Sequence, residues 1–385
     1  MKKYLAFWLA IMLSVLSFSA FAANTSSSYT IFVDAGSTGS RLHIFQYEKP
    51  LFSLPVVTDV SSKNVKPGLS FYADHPEQAG PSLKPLLDDA VQFLQTNKVA
   101  PGTVVVHVFG TAGMRLLSQD KQDAIYNNIK TYLEKNYPFF APVPKKGKTL
   151  QTISGQMEGL YGWLDVNYLA GNFQNHQSTV GSIDMGGAST QIAFATNDLK
   201  YWKDEIVLNM NGKKYRVFSK SFKGLGQDQA LATMSAVPGA SACYPLYYEF
   251  SPGMFGYFNL PACSGLYKDN VIQNQHVTVS GKQSFIAFSG IYYTYNFFQA
   301  DKTPDQSMLE ERIKNVCSVT WDQLQKNYPK ENVKYLSAYC ANAAYDDELL
   351  YRAYGLQGNQ LTVTNKINQK DIDWTLGAAL YSLIK

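Results

Sequence analysis

The chain is short of cysteine, of charge and of long apolar runs, and each shortage excludes a class of protein. Its four cysteines lie in the second half and lack Cys-x-x-Cys spacing, which argues against a zinc site. Charged residues make up only 17% of the chain, and the net charge of +4 comes from scattered basic residues. The charge pattern therefore does not indicate a nucleic acid or a strongly anionic surface as a binding partner. Beyond the N-terminus, no stretch approaches the roughly 20 apolar residues that a membrane span requires.

The first 22 residues have the pattern of a secretory signal peptide. Basic residues at 2 and 3 precede an apolar run over 4–16, and residues 20–22 form a small-x-small cleavage site. A retained N-terminal anchor is the alternative. The pattern predicts an exported protein, periplasmic or secreted, with no stable membrane span after cleavage.

Export makes disulfides the expected state of the four cysteines. Three pairings are open from the sequence alone. We favour Cys243–Cys263 and Cys317–Cys340, because both close short loops.

One fifteen-residue pattern occurs twice, at 31–45 and 181–195, with a constant offset of 150 residues. In each copy an apolar run ends in an aspartate, Asp34 or Asp184, before a turn of glycine and small hydroxyl residues and a second apolar run. This is typical of a β-hairpin with a carboxylate and glycines at its tip. Glycine lets backbone N–H groups converge on an anion, and an aspartate can hold a cation close by. Two ordinary surface hairpins are the alternative, but two copies in register predict a clamp for a metal-bound polyphosphate.

The remaining chain alternates between strand and helix patterns. Apolar spacing predicts helices over 83–97, 119–135 and 155–170, and a buried strand over 104–109. Asn211-Gly212 at the centre of 206–217 predicts another hairpin, and residues 371–380 predict a capped helix. A hairpin followed by βαβ units, repeated after 150 residues, predicts an α/β protein with two similar lobes and a cleft between them.

Four segments have the right character for phosphate chemistry: 34–41, 109–115, 153–159 and 184–191. In their order and spacing, together with residues 373–377, they resemble the conserved regions of the nucleoside triphosphate diphosphohydrolases, or apyrases. The resemblance covers nearly all of the chain after the signal. It implies a two-lobed actin/hexokinase-like (ribonuclease H-like) fold with the active site in the interlobe cleft. We expect lobe I at 23–165, completed by 371–385, and lobe II at 166–370.

The resemblance also implies an activity, which is metal-dependent hydrolysis of the terminal phosphates of nucleoside tri- and diphosphates. Mg²⁺ or Ca²⁺ is the implied cofactor. The first phosphate segment looks more like the soluble apyrases than the membrane-anchored forms, so we expect a soluble, secreted bacterial member that acts as a monomer.

Phosphoryl transfer requires positioned phosphates, neutralised charge and a water molecule in line with the scissile bond. The resemblance implies that Asp34 and Asp184 hold the metal largely through its water molecules, an arrangement that suits magnesium. It makes Glu158, the glutamate before glycine in its motif, the general base. From the pattern alone, Glu158 could simply be favourable in the first turn of a helix.

Other residues have implied roles around this centre. Ser189 and Gln191 match the family residues that orient the attacking water, and Thr111 matches one that contacts the catalytic centre. For Thr111, a hydroxyl bonded to neighbouring backbone is the alternative. Backbone amides of the two tips are expected to cradle the phosphates; they belong to Ser37, Thr38, Gly39, Gly187, Ala188 and Ser189.

Two further assignments are open. Arg41 could pair with a phosphate or point outward in a salt bridge. Tyr345 lies in the second lobe next to a predicted disulfide, and the family stacks the nucleobase on aromatic residues of this lobe. Tyr345 is therefore the candidate for nucleobase binding, although most of the 26 tyrosines must serve the core or the surface.

Two rival functions use the same fold. Exopolyphosphatases and guanosine pentaphosphate phosphatases have a similar phosphate loop, but that loop usually ends in glutamate where this chain has Gln191. A non-hydrolytic actin-like nucleotide-binding module or a sugar kinase is the second rival, although Glu158 with Ser189 and Gln191 suits the positioning of water. The lack of a Gly-x-x-x-x-Gly-Lys loop excludes the P-loop NTPases.

Overall fold

A computed structural model describes residues 28–384 of the chain, apart from 51–52, 101, 139, 141–148, 175–176, 274–276 and 280. The predicted signal peptide, residues 1–22, lies outside the described residues. Among the residues that are described, no helix is both long and apolar enough to cross a membrane.

The first lobe is built on a five-stranded sheet. Its strands are β1 (Ser28–Ala35), β2 (Ser40–Glu48), β3 (Val56–Val65), β4 (Val105–Gly110) and β5 (Leu150–Thr152). They lie in the order β3-β2-β1-β4-β5; the first three are antiparallel neighbours, whereas β4 and β5 run parallel to β1. The helices of this half are α1 (Ala79–Ser82), α2 (Lys84–Thr96), α3 (Ala112–Arg115) and α4 (Gln119–Asn136).

The chain then forms a long helix, α5 (Gly155–Leu169), and a second sheet. The strands of that sheet are β6 (Gly181–Met185), β7 (Ser189–Ala195), β8 (Glu205–Met210), β9 (Lys213–Lys223), β12 (Phe285–Ser289) and β13 (Leu361–Val363). Two small hairpins lie outside it, formed by β10 (Glu249–Ser251) with β11 (Met254–Phe255) and by β14 (Lys366–Ile367) with β15 (Lys370–Asp371).

The two sheets share one topology. The second has the order β13-β12-β6-β7-β9-β8, with β6, β7 and β9 antiparallel and β12 and β13 parallel to β6. Apart from the additional edge strand β8, this repeats the first sheet strand for strand. The register repeats as well, because Asp34 pairs with Arg41 in the first hairpin and Asp184 pairs with Gln191 in the second. The predicted α/β fold of two similar lobes is confirmed.

Further α-helices follow in the second half of the chain, and three of them carry cysteines of the disulfides. These further helices are α6 (Gln227–Ser235), α7 (Leu260–Tyr267), α8 (Gly290–Phe297), α9 (Gln306–Cys317), α10 (Trp321–Asn327), α11 (Val333–Leu336) and α12 (Tyr339–Asp347). The disulfides join Cys243 to Cys263 and Cys317 to Cys340, which are the two pairings favoured by the sequence. All four cysteines are buried in the core of this lobe.

Two helices cross between the lobes. Helix α5 packs against β6, β7 and β9 of the second sheet, although it follows the last strand of the first. The C-terminal helix, α13 (Trp374–Ile384), packs against α5 and against β1, β2 and β3 of the first sheet. The expected lobe boundary at residue 165 therefore falls within a helix that belongs, by its packing, to the second sheet.

The crossing of α5 and α13 requires a glycine. A β-carbon on Gly377 would lie 1.9 Å from the carbonyl oxygen of Tyr161, so any side chain there would force the helices apart. Around this crossing, apolar residues from both sheets form a single cluster that includes Phe32, Trp163 and Val217. This shared cluster joins the two lobes.

Candidate active site

The tips of the two repeated hairpins meet across one cleft. The cleft has a volume of about 400 Å³ and is lined by residues 36–39 of the first tip and 186–189 of the second. A β-carbon on Gly187 would lie 3.1 Å from the Ser37 hydroxyl oxygen, which shows how closely the tips approach. The structure thus brings together the residues expected to cradle phosphate: Ser37, Thr38, Gly39, Gly187, Ala188 and Ser189.

Asp34 and Asp184 occupy equivalent places at the ends of β1 and β6, and both line the cleft. Burial and the neighbouring acids raise the pKa of Asp34 to about 8 and that of Asp184 to about 7. The Asp34 Oδ1 atom is buried without a hydrogen-bond partner. Carboxyl groups in this state would lose their protons to solvent most readily when a cation binds beside them.

Carboxylate oxygens are the ligands that Mg²⁺ and Ca²⁺ prefer in proteins. Within the described residues, no three His, Cys, Asp or Glu side chains are close enough to chelate a metal directly. The partnerless buried Oδ1 of Asp34 and the raised pKa values of both aspartates fit a divalent cation that reaches them without being fully enclosed by protein ligands.

Glu158 lies in the first turn of α5, where the Ser154 hydroxyl caps the helix by accepting a hydrogen bond from the Met157 N–H. Its carboxylate is buried but lines the cleft. Burial raises the pKa of Glu158, and the guanidinium of Arg115 opposes that rise. Arg115 Nη1 lies 2.7 Å from Glu158 Oε2.

A hydrogen-bonded group connects Glu158 to the second sheet. Gln191 Nε2 donates to Ser189 Oγ at 2.7 Å and to Ser221 Oγ at 2.9 Å, and it lies 3.3 Å from Glu158 Oε2. Arg115 Nη2 donates to Ser189 Oγ at 3.0 Å. Of the three residues expected around the attacking water, Glu158 and Ser189 thus both lie against the side chain of Gln191.

Arg115 and Ser221 complete this group and were not recognised from the sequence as functional residues. A signal was present for Arg115, because it ends the segment 109–115 that already stood out. Ser221 gave none, since it lies on β9, 30 residues beyond Gln191, and only the pairing of β7 with β9 brings the two together.

Thr111 and Arg41 lie at the margins of the cleft. Thr111 precedes α3, and its backbone N–H donates to the Ala35 carbonyl at 3.2 Å, which joins the end of β4 to the first tip. Arg41 forms an ion pair with Asp34 at 3.4 Å, yet 56% of its side chain is exposed. Arg41 is therefore free to exchange this contact for another anion in the cleft.

His43 contacts Asp373, one of the acidic residues that line the cleft. His43 Nδ1 lies 2.7 Å from Asp59 Oδ2, and Nε2 lies 3.4 Å from Asp373 Oδ2, which lines the cleft. Burial by itself lowers the pKa of His43, but Asp373 and Asp59 outweigh burial and raise it to about 10. The imidazolium in turn holds the pKa of Asp373 below its usual range, against the effect of burial. Asp373 thus remains ionised beside Asp34.

Tyr345 is not available to a ligand, and its expected role in binding a nucleobase is corrected. The side chain is fully buried, its hydroxyl donates to the Leu225 carbonyl at 2.6 Å, and its ring packs against Tyr267 at 5.0 Å. The residue belongs to the core of the second lobe. Tyr293 on α8 and Tyr335 on α11 instead line the cleft with exposed rings. Helical position alone does not distinguish these tyrosines, because the difference depends on tertiary packing.

Similarities to known proteins agree with this architecture. The chain is 30% identical to ectonucleoside triphosphate diphosphohydrolase 5 of Gallus gallus, over 94% of this chain and 89% of that protein. It is 28% identical to probable apyrase 3 of Arabidopsis thaliana, over 92% and 80% of the two chains.

Solved structures show the same fold at low sequence identity. A nucleoside triphosphate hydrolase structure from Neospora caninum matches with a TM-score of 0.71 at 15% identity, over 100% of this chain and 96% of the other. A Ppx/GppA family protein from Aquifex aeolicus matches with a TM-score of 0.55 at 12% identity, over 93% and 98%. A family model matches residues 20–240 and 263–385, and with the relative at 30% identity it shows that the chain belongs to the GDA1/CD39 (nucleoside phosphatase) family.

Proposed function

We propose that the protein hydrolyses the terminal phosphates of nucleoside tri- and diphosphates with the aid of a divalent cation, Mg²⁺ or Ca²⁺. The observation that carries this proposal is the contact between Glu158, Ser189 and Gln191 at the meeting point of two phosphate-loop tips. Family membership and relatives named as diphosphohydrolases and apyrases support it.

The tips would bind the phosphates through backbone N–H groups, and Arg41 would add a positive charge at the rim. Asp34 and Asp184 would hold the hydrated cation, which, when bound, neutralises phosphate charge. Thr111 would steady the first tip. The nucleobase would lie between Tyr293 and Tyr335, because both rings are exposed on the second-lobe side of the cleft.

Hydrolysis would follow from the positions of the polar groups. A water molecule held by Ser189 and Gln191 attacks the terminal phosphorus while Glu158 accepts its proton. A new P–O bond forms, the bridging P–O bond breaks, and its electron pair leaves with the shortened nucleotide. Burial suits Glu158 to this role because it raises the pKa of the carboxyl above its ordinary value.

The Ppx/GppA structures share the fold, so polyphosphate is the substrate to separate from nucleotides. The exposed tyrosines favour nucleotides, because a substrate without a base has no use for two aromatic rings at the cleft. The pair of Glu158 and Gln191 favours water over a sugar hydroxyl as the acceptor. We further propose that the protein is exported, since both of its disulfides suit an oxidising compartment.

The test is phosphate release from a panel of nucleoside tri-, di- and monophosphates and polyphosphate, without any added acceptor. We expect release from tri- and diphosphates and its loss in excess chelator. Release from polyphosphate in preference to nucleotides would replace this proposal with the exopolyphosphatase function. Activity that survives the chelator would remove the role of the cation.

A further inference from the structure

Arg115 contacts groups from both lobes at the centre of the site. It ends α3 of the first lobe and donates to Glu158 on α5 and to Ser189 on β7 of the second sheet. Nη1 also donates to the Ile153 carbonyl at 3.3 Å. The side chain is only 12% exposed, so bulk water screens these contacts little. A planar guanidinium can meet two acceptors at once, which a single ammonium group cannot do in the same way.

The contacts of Ser189 determine the direction of its hydroxyl proton. A serine oxygen can accept two hydrogen bonds and donate one. Ser189 Oγ lies within hydrogen-bond distance of Arg115 Nη2 and Gln191 Nε2. If both nitrogens donate, both acceptor positions are filled, and the hydroxyl proton of Ser189 must point toward a third partner in the cleft.

The donor role of Gln191 follows from its surroundings. Its side-chain nitrogen lies 3.3 Å from Glu158 Oε2, an atom that can only accept a hydrogen bond while the carboxylate is ionised. An amide oxygen at that place would face the carboxylate as a second acceptor and be repelled. The nitrogen therefore faces Glu158, Ser189 and Ser221. Its two hydrogens are directed to the two nearer oxygens, Ser189 Oγ at 2.7 Å and Ser221 Oγ at 2.9 Å, so both contacts of Ser189 are donations to it.

The contacts of Glu158 are one-sided in the same way. Among the described residues, the hydrogen bond from Arg115 and the approach of Gln191 Nε2, at 3.3 Å, both involve Oε2 of the carboxylate. Oε1 is left as the oxygen that can accept a proton. The guanidinium thus orients the carboxylate as well as the hydroxyl.

We propose that Arg115 is a positioning residue for the attacking water, acting by directing the Ser189 hydroxyl as a donor and by leaving Oε1 of Glu158 as the proton acceptor. This inference rests on the proposed hydrolytic function. In it, Arg115 acts through two other side chains and not by contact with the nucleotide. Its loss would lower turnover and leave nucleotide binding nearly unchanged.

The central experiment compares kcat and KM for wild type and Arg115→Ala with a nucleoside triphosphate. We expect kcat to fall by about 10²-fold or more and KM to stay within about threefold, since the lost interactions matter in the transition state. Millimolar guanidinium chloride, far below denaturing concentrations, should restore kcat of this variant at least about tenfold. Urea, which has the same shape without the charge, is the matched control and should restore nothing.

A double-mutant cycle tests whether Arg115 acts through Glu158. In a Glu158→Gln background, adding Arg115→Ala should lower kcat by clearly less than the about 10²-fold expected in the wild-type background, because one of the two groups that it positions is already disabled. Independent effects that multiply would overturn the proposal. So would a loss confined to KM, rescue by urea as strong as by guanidinium, or near-normal turnover of Arg115→Ala.

Arg115→Lys provides a second route if the alanine variant does not fold. It keeps a positive charge beside Glu158 but cannot hold Ser189 with a second nitrogen, so we expect kcat at least about tenfold below wild type. Wild-type turnover of this variant would overturn the inference. Assays of the wild-type protein distinguish failure of this inference from failure of the proposed function. A wild type that is inactive on every nucleotide would refute hydrolysis itself. An active wild type with Arg115 variants of normal turnover would refute only the role of Arg115.

Discussion

Three tyrosines of the second lobe show how much depends on the surroundings of a single residue. Tyr345 contributes its ring to the protein core and its hydroxyl to a backbone carbonyl. Tyr293 and Tyr335 present exposed rings to the cleft. An exposed aromatic ring beside a phosphate site can stack on a base, whereas a buried one can only support the fold.

The double variant Tyr293→Ala/Tyr335→Ala should therefore raise KM for nucleotides by roughly three- to tenfold with kcat nearly unchanged, since stacking is equal in the ground and transition states. Steady-state kinetics with a nucleoside triphosphate and with tripolyphosphate, which has no base, provide the measurement. Tyr345→Phe is the matched control and should affect both substrates alike. An equal loss on both substrates in the double variant would place the base elsewhere.

At the same scale, the sequence predicted residues whose neighbours are local and missed those whose neighbours are distant. Asp34 and Asp184 follow from a hairpin pattern that is complete within fifteen residues. Ser221 and the contacts of Arg115 depend on strands and helices far apart in the chain, so no local pattern contains them. The error at Tyr345 has the same cause, since burial is decided by tertiary packing.

Among the elements, the strongly periodic ones were predicted almost to the residue. The helix expected over 119–135 is Gln119–Asn136, and the strand expected over 104–109 is Val105–Gly110. The hairpin centred on Asn211-Gly212 is present, and both of those residues have positive φ angles, as this type of turn requires.

The aromatic stretch from 238 to 270 was the least predictable part of the chain. It folds as short helices and a small hairpin around Cys243 and Cys263. These short elements have too few residues to show a period. Packing against the disulfide and the neighbouring rings decides their conformation. The packing of α5 against the second sheet was not predicted either. The apolar pattern of a helix shows that one face is buried, but it does not show which sheet buries that face.

At the scale of the whole molecule, the fold concentrates buried acids where its two halves meet. Asp34 and Asp184 come from opposite lobes, and Asp373 directly precedes α13, the helix that packs on the first sheet. The burial of Asp34 and Asp184 costs stability whenever these two are ionised without a cation. The cost links the stability of the molecule to pH and to bound metal.

The sign of this effect follows from the raised pKa values of Asp34, about 8, and Asp184, about 7. A carboxyl whose pKa is higher in the folded than in the unfolded state stabilises the fold below its unfolded pKa of about 3.9, and that contribution is lost as the pH rises through the folded pKa. In chelator, Tm should therefore fall by at least about 5 °C between pH 5.5 and pH 8.5. His43, with a folded pKa of about 10, contributes a loss of the same sign at higher pH.

Thermal unfolding with and without Mg²⁺ or Ca²⁺ isolates the contribution of the two aspartates. The cation should raise Tm more at pH 8.5 than at pH 5.5, because it favours the ionised carboxylates. The control is Asp34→Asn/Asp184→Asn, in which the effect of the cation should disappear. An equal cation effect at both pH values would contradict the assignment of these residues to the metal.

The most direct test of the account is turnover of Glu158→Gln in H₂¹⁸O beside wild type. Glutamine keeps the size of the side chain and a hydrogen-bonding oxygen but cannot take a proton, so kcat should fall by at least about 10²-fold with little change in nucleotide affinity. Wild type should place one ¹⁸O atom in the released phosphate and none in the remaining nucleotide, as attack by water on the terminal phosphorus requires. A variant that keeps a tenth of the wild-type kcat, or ¹⁸O found in the nucleotide product, would contradict the assignment of Glu158 as the base for this reaction.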